Sequence, residues 1–198
     1  MVQSVIEKIV ASMIEKNAIS TEDRQLYAYG LYQSFLLAVN VASSILLGIV
    51  FGIFVQSALL ITCYIPLRSY SGGYHCKTPL RCYLFSVISL SVVLAVIKYQ
   101  IITGYFVAVL LVLSVAVIIW LAPMESYNKP LDEEERLVFR KRTLVIVVLL
   151  TTILTLFYGL KQYQFAVSVL MAFTLNAVML LLGQIHVLMK RRCHNSNK

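Results

Sequence analysis

One segment of the chain, residues 68–82 with the sequence RSYSGGYHCKTPLRC, gathers Arg68, a glycine pair at Gly72 and Gly73, His75, Cys76 and Cys82 just ahead of an apolar run. No other part of the sequence joins a nucleophile and a base to a glycine pair ahead of an apolar run. Outside it the histidines are His186 and His194, at or beyond the end of the last apolar segment. In one continuous helix, His75 and Cys82 would share a face but stand about 10 Å apart along the axis, too far for proton transfer. Pro79 removes the difficulty. Proline suits a first helical position, Thr78 can cap the helix that Pro79 opens, and Gly72 and Gly73 let the preceding loop fold back. His75 can then reach Cys82 from outside the helix.

Cys82 is thereby placed in a first helical turn beside Arg81, where unpaired N–H groups and the helix dipole favour a negatively charged sulfur. A thiolate next to an imidazole is the arrangement used for covalent acyl transfer from a peptide bond. Simpler readings stand beside this one. Cys82 could be a small apolar residue that starts a helix, His75 a headgroup anchor and the glycine pair an ordinary turn. Cys76 competes as nucleophile, but it points away from His75 in an extended backbone and lacks the helix N-terminus. Cys63 reads as packing within a span and Cys193 as a tail thiol. Together His75, Cys76 and Cys82 could ligate a metal, although no fourth ligand or zinc spacing accompanies them, and no C-x-x-C pair or disulfide framework is present. No metal and no cofactor is expected.

The elements that must position this segment are set by composition. Hydrophobic residues make up 60% of the 198 residues and charged residues 13%, a balance that calls for lipid as solvent. The expectation is an all-α fold, a single integral membrane domain over 1–198 built as a polytopic helix bundle of about six spans. Apolar runs from about Leu31 to Val55 and over 80–97, 101–122, 144–160 and 165–189 are long enough, or nearly so, to cross. A shorter run over 57–70 is either a span that Arg68 extends by snorkelling or a re-entrant arm. Residues 1–20 carry an apolar stripe of Val2, Val5, Ile6, Ile9, Val10, Met13 and Ile14 and are expected to form an amphipathic interfacial helix. No cleavable signal peptide is evident, because Glu7, Lys8, Glu15 and Lys16 occupy the N-terminus.

The net charge of +8 is a topology signal here, not the mark of a nucleic-acid partner. With six crossings, the N-terminus, residues 68–82, a charged loop over 123–142 and the C-terminal tail share one side, which holds every Lys and Arg except Lys98 and Lys161. The positive-inside rule makes that side cytoplasmic. Were 57–67 not to cross, the later loops would swap sides and the asymmetry would degrade; four spans with a re-entrant arm is the alternative.

At this point the residues resemble a known family, the accessory gene regulator protein B (AgrB) peptidases of bacterial quorum sensing. The resemblance covers nearly the whole chain in size and span pattern. Its specific part is Arg68, Gly72, Gly73, His75 and Cys82, with Ala122-Pro123 ahead of Asn128-Lys129-Pro130-Leu131 as a second match. It implies a multi-pass protein of the bacterial cell membrane in which His75 and Cys82 are the catalytic pair, supported by Arg68, Ser71, Gly72, Gly73, Thr78 and Pro79. Lys129 and Pro130 become candidate substrate contacts. The implied substrate is a short pro-signal peptide, cleaved through a thioester on the enzyme cysteine and closed into a thiolactone or lactone ring. Cys76 and the intervening Pro79 depart from the family pattern.

In the implied reaction His75 takes the Cys82 proton, the thiolate attacks the scissile carbonyl, and His75 returns the proton to the leaving amine. No Asp or Asn of the segment can orient His75, so a dyad is expected rather than a triad. Ser71, backbone N–H groups near Pro79–Cys82, or Arg68 could stabilise the oxyanion. The charged loop, with Asp132, Glu133, Glu134 and Glu135 before Arg136, Arg140, Lys141 and Arg142, reads as a solvated connector or as a dock for a charged part of the peptide. A homodimer is a further expectation. The rival class is a small permease or peptide exporter without proteolytic activity; it should carry ionisable residues inside its spans, where this chain has Asn40, Asn176 and scattered Ser and Thr.

Overall fold

The computed structural model describes residues 2–16, 18–74, 79–124 and 132–195, with side chains at all of these except 2, 3, 79 and 190–195. Among them lie α1 (Val2–Glu15), α2 (Arg24–Val50), α3 (Phe54–Ser71), α4 (Pro79–Lys98), α5 (Tyr105–Leu121), α6 (Glu133–Gly159) and α7 (Tyr163–Asn195), and no strand. The all-α expectation is met. Four helices, α2, α4, α6 and α7, are long and apolar enough to cross a membrane; α5 is apolar but shorter. At 18 residues α3 is about 27 Å long, close to the thickness of a hydrocarbon core.

The chain divides into two units, Met1–Ser43 and Ser44–Lys198. In the first, α1 buries Ile6 and Val10 while Val5 and Ile9 stay exposed. Arg24 at the head of α2 meets Glu7 of α1 at 2.8 Å, an exposed pair.

In the second unit α7 is the centre. Residues 166–173 are buried on every side, and 67% of its apolar window is buried against 22% for α4 and for α6. Apolar residues around a whole helix circumference fit an interior position. The helices around it show a single buried stripe. In α6 Thr143, Val147, Leu150 and Leu154 face inward at helical spacing, while Val145, Val148, Leu149 and Leu156 are exposed. Exposed side chains as apolar as the buried ones are expected where lipid replaces water.

Side-chain pairs fix the directions. Gln56 near the start of α3 bonds Gln164 near the start of α7 at 2.8 Å, and Ser71 at the end of α3 bonds Asn176 further along α7, so these two helices run parallel. Arg142 in the early part of α6 reaches the Tyr70 hydroxyl at 3.2 Å, which sets α6 antiparallel to α3. After α5 comes a cis Ala122–Pro123 bond and Met124, whose N–H donates to Ser71 O at 2.9 Å. One end of this unit therefore gathers the ends of α3 and α5 with the start of α6. At the opposite end Lys98 lies over the Phe51 ring and Phe157 meets Phe165.

Some boundaries differ from the sequence expectation. The charged stretch is not a loop throughout: from Glu133 it is the first turns of α6. Three glutamates at a helix N-terminus complement its dipole, and charged side chains on a helix outside the hydrocarbon cost nothing. The run at 57–70 forms one helix that passes through Pro66 and extends back to Phe54. The first apolar run, expected to reach Val55, breaks at Phe51–Ile53, where Gly52 adopts a positive φ of 72°.

Candidate active site

The site is built where α3 ends. Gly72 caps the helix with φ 72°, its N–H bonding Arg68 O at 3.1 Å, and Gly73 follows with φ 134°. Both values lie where side chains with a Cβ are disfavoured. Space forbids a Cβ as well: at Gly72 it would strike the Met124 carbonyl, and at Gly73 the Arg68 guanidinium. The glycine pair thus serves a close approach of backbone to backbone and to Arg68.

Arg68, half-buried on α3, folds back over this turn. Nη1 donates to Gly72 O and Nη2 to Tyr74 O. A planar guanidinium holds two carbonyls from two nitrogens in a fixed fork, a geometry that the single nitrogen of an ammonium does not reproduce. On the other flank Tyr74 N–H donates to Met179 O of α7 at 3.0 Å, and the Tyr74 ring meets His186 edge-on at 5.5 Å. The loop rests on α7 at Gly183, where a Cβ would press on the Met124 sulfur and come within 3.1 Å of Tyr74 N. Arg68, Ser71, Gly72 and Gly73 are thus brought together with Met124, Met179 and Gly183.

Ser71 is fully buried, and its Oγ donates to Asn176 Oδ1 at 3.0 Å. Asn176 is also fully buried, and its Nδ2 has no hydrogen-bond partner. Among the described residues it is the one buried side-chain polar atom without a partner.

Helix α4 starts at Pro79, as its suitability for a first helical position predicts. Cys82 is therefore in the first turn of α4, half-buried and free, with Arg81 beside it exposed. Cys63 is free and buried within α3. His75, Cys76 and Thr78 lie outside the described residues, as do Lys129 and Pro130. Among the described residues no three His, Cys, Asp or Glu side chains group so that they could hold a metal ion.

Sequence reasoning passed over three contributors. Asn176 was visible as a polar residue in an apolar run, a signal that marks function in membrane helices. Gly183 and Met179 carried none, since their part depends on which helix the loop lands on.

Comparison with known proteins identifies the family. The family model described as accessory gene regulator B matches residues 6–180. The chain is 24% identical over 139 residues to an AgrB-like protein of Clostridium perfringens, covering 66% of this chain and 65% of that relative. It is 24% identical to accessory gene regulator protein B of Staphylococcus intermedius, over 73% of this chain and 81% of the relative. Protein FsrB of Enterococcus faecalis is 26% identical over 56% of this chain and 47% of its own length. The chain thus spans just under two thirds of the Clostridium relative it matches. No solved structure matches it. A family model that covers most of the chain, together with helices suited to lipid, makes this a membrane protein that belongs to the accessory gene regulator B family.

Proposed function

We propose that the chain is a membrane cysteine endopeptidase of quorum sensing that cleaves a short pro-signal peptide, with Cys82 as nucleophile and His75 as base. The observation that carries this reading is the position of Cys82. It stands half-buried in the first turn of α4, at the head of the helix that follows the two-glycine turn held by Arg68 in the chain. A thiol at a helix start, next to a shaped backbone loop, suits covalent acyl transfer.

In the proposed reaction His75 accepts the Cys82 Sγ proton and the sulfur forms a bond to the scissile carbonyl carbon. The C–N bond then breaks, and His75 gives its proton to the departing amine. What remains is a thioester that conserves the activation of the peptide carbonyl. A thiol or hydroxyl of the peptide itself can attack it, which releases Cys82 and closes a thiolactone or lactone ring. Lys129 and Pro130 are assigned to peptide contact. The proposed topology has six crossings with α3 among them, both termini and the catalytic loop cytoplasmic, and Lys98 and Lys161 on the far side.

The test is co-expression with short peptides encoded beside the gene, with wild type, Cys82→Ser, Cys76→Ser and His75→Ala compared by mass spectrometry. Cleavage and a trapped acyl-enzyme should require Cys82 and His75 and survive Cys76→Ser. If all variants behave as wild type, the loop is not catalytic and a permease becomes the better reading.

A further inference from the structure

Asn176 holds a polar group where polar groups are costly. It lies on the central helix α7, fully buried, in a segment suited to hydrocarbon. Buried amides are nearly always bonded at both ends, and an orphan donor needs an explanation. Only the oxygen of this one is satisfied, by Ser71 at 3.0 Å; Nδ2 has no partner. Nearby loop acceptors already have other donors. Ser71 O takes Met124 N–H, Gly72 O and Tyr74 O take Arg68, and Met179 O takes Tyr74 N–H. The Ser71 bond also fixes the planar carboxamide, so its amino group is presented in one direction at no further ordering cost.

We infer that Asn176 is a substrate-binding residue whose Nδ2 donates a hydrogen bond to a backbone carbonyl of the bound peptide. The inference rests on the peptidase reading above. A neutral amide donor matches a neutral acceptor, and the neighbouring Arg68 guanidinium is already committed to two loop carbonyls. A peptide carbonyl is the neutral acceptor that such a substrate always supplies. The carboxamide that carries the donor is bonded to Ser71, the last residue of α3, next to the turn that Arg68 holds.

The full chain, purified in detergent, should be assayed on the precursor peptide that it cleaves in co-expression. Asn176→Leu keeps the volume and removes the donor; Asn176→Ala removes it with less bulk. Each should raise KM about 5- to 150-fold, the range for one hydrogen bond whose loss leaves an acceptor unpaired, with kcat changed less than about threefold. Both variants also take the acceptor from Ser71, so melting temperature should fall by roughly 2–10 °C, while the rate of Cys82 alkylation by iodoacetamide should stay as in wild type. A kcat/KM within about twofold of wild type in both variants overturns the inference. So does a fall of Cys82 alkylation in parallel with cleavage, or failure of both variants to fold, because each shows a structural role. Wild-type chain that cleaves nothing would instead remove the peptidase reading, and this inference with it.

Discussion

Arg68→Lys separates the shape of the guanidinium from its charge. Arg68 uses two nitrogens, Nη1 on Gly72 O and Nη2 on Tyr74 O, and a lysine, with one nitrogen on a shorter stem, should lose one of these bonds. A hydrogen bond from a charged donor contributes about 1.5–3 kcal/mol net. Arg68 is half-buried, so the lower end applies, and Arg68→Lys should weaken the closed loop by about 1.5 kcal/mol, roughly tenfold in its opening equilibrium. Arg68→Met loses both bonds and should cost about 3 kcal/mol, over a hundredfold. The readout is hydrogen–deuterium exchange by mass spectrometry at the Tyr74 amide, which bonds Met179 O at 3.0 Å in the closed loop. This measurement needs no substrate. Exchange in Arg68→Lys equal to wild type would show that charge alone holds the loop. Wild-type exchange in Arg68→Met would show that the Met124 bridge and α7 hold it without Arg68.

Two further predictions concern glycines that lie against residues of other segments. Gly183→Val should lower stability by about 1–3 kcal/mol, a melting temperature drop of roughly 2–10 °C in detergent, although valine favours a helix more than glycine does. The new side chain would displace Met124 and the Tyr74 backbone, which lies 3.1 Å from the added Cβ; a rise in melting temperature would contradict this seat. Gly48→Ala puts a Cβ 2.6 Å from Ser57 Cβ and should cost about 1–3 kcal/mol. Ser57→Gly should relieve much of that, giving a coupling of about 0.5–3 kcal/mol in the double-mutant cycle, whereas strict additivity would rule out the contact.

Much of the fold was legible because hydrocarbon imposes a simple rule: backbone polar groups must bond within the segment, so long apolar runs become helices. That rule located α2 and α4 to α7, and the chemistry of proline located the start of α4 at Pro79. It could not locate helix ends outside the apolar zone. Hydropathy reports where lipid is, whereas a helix continues for as long as its backbone bonds are made. For this reason α6 begins at Glu133 and α2 at Arg24, well before their apolar runs. In the candidate site the glycine pair, Arg68 and Cys82 were legible as residue types gathered in one short segment. Their partners were not. The Ser71–Asn176 bond joins residues 105 apart, and no local pattern encodes it.

The sequence by itself determined that this chain is an all-α protein of the membrane, and where along it a thiol, an imidazole and a flexible turn occur together, because composition and short-range spacing suffice for both. The tertiary structure decided what surrounds that turn. By seating the loop on Gly183 of α7, bonding it to Met124 and placing Asn176 under Ser71, the packing committed Arg68 to loop carbonyls and left one buried amide donor unspent. Which side chain meets which across a bundle depends on helix order and direction, and those are set by contacts between segments distant in the chain.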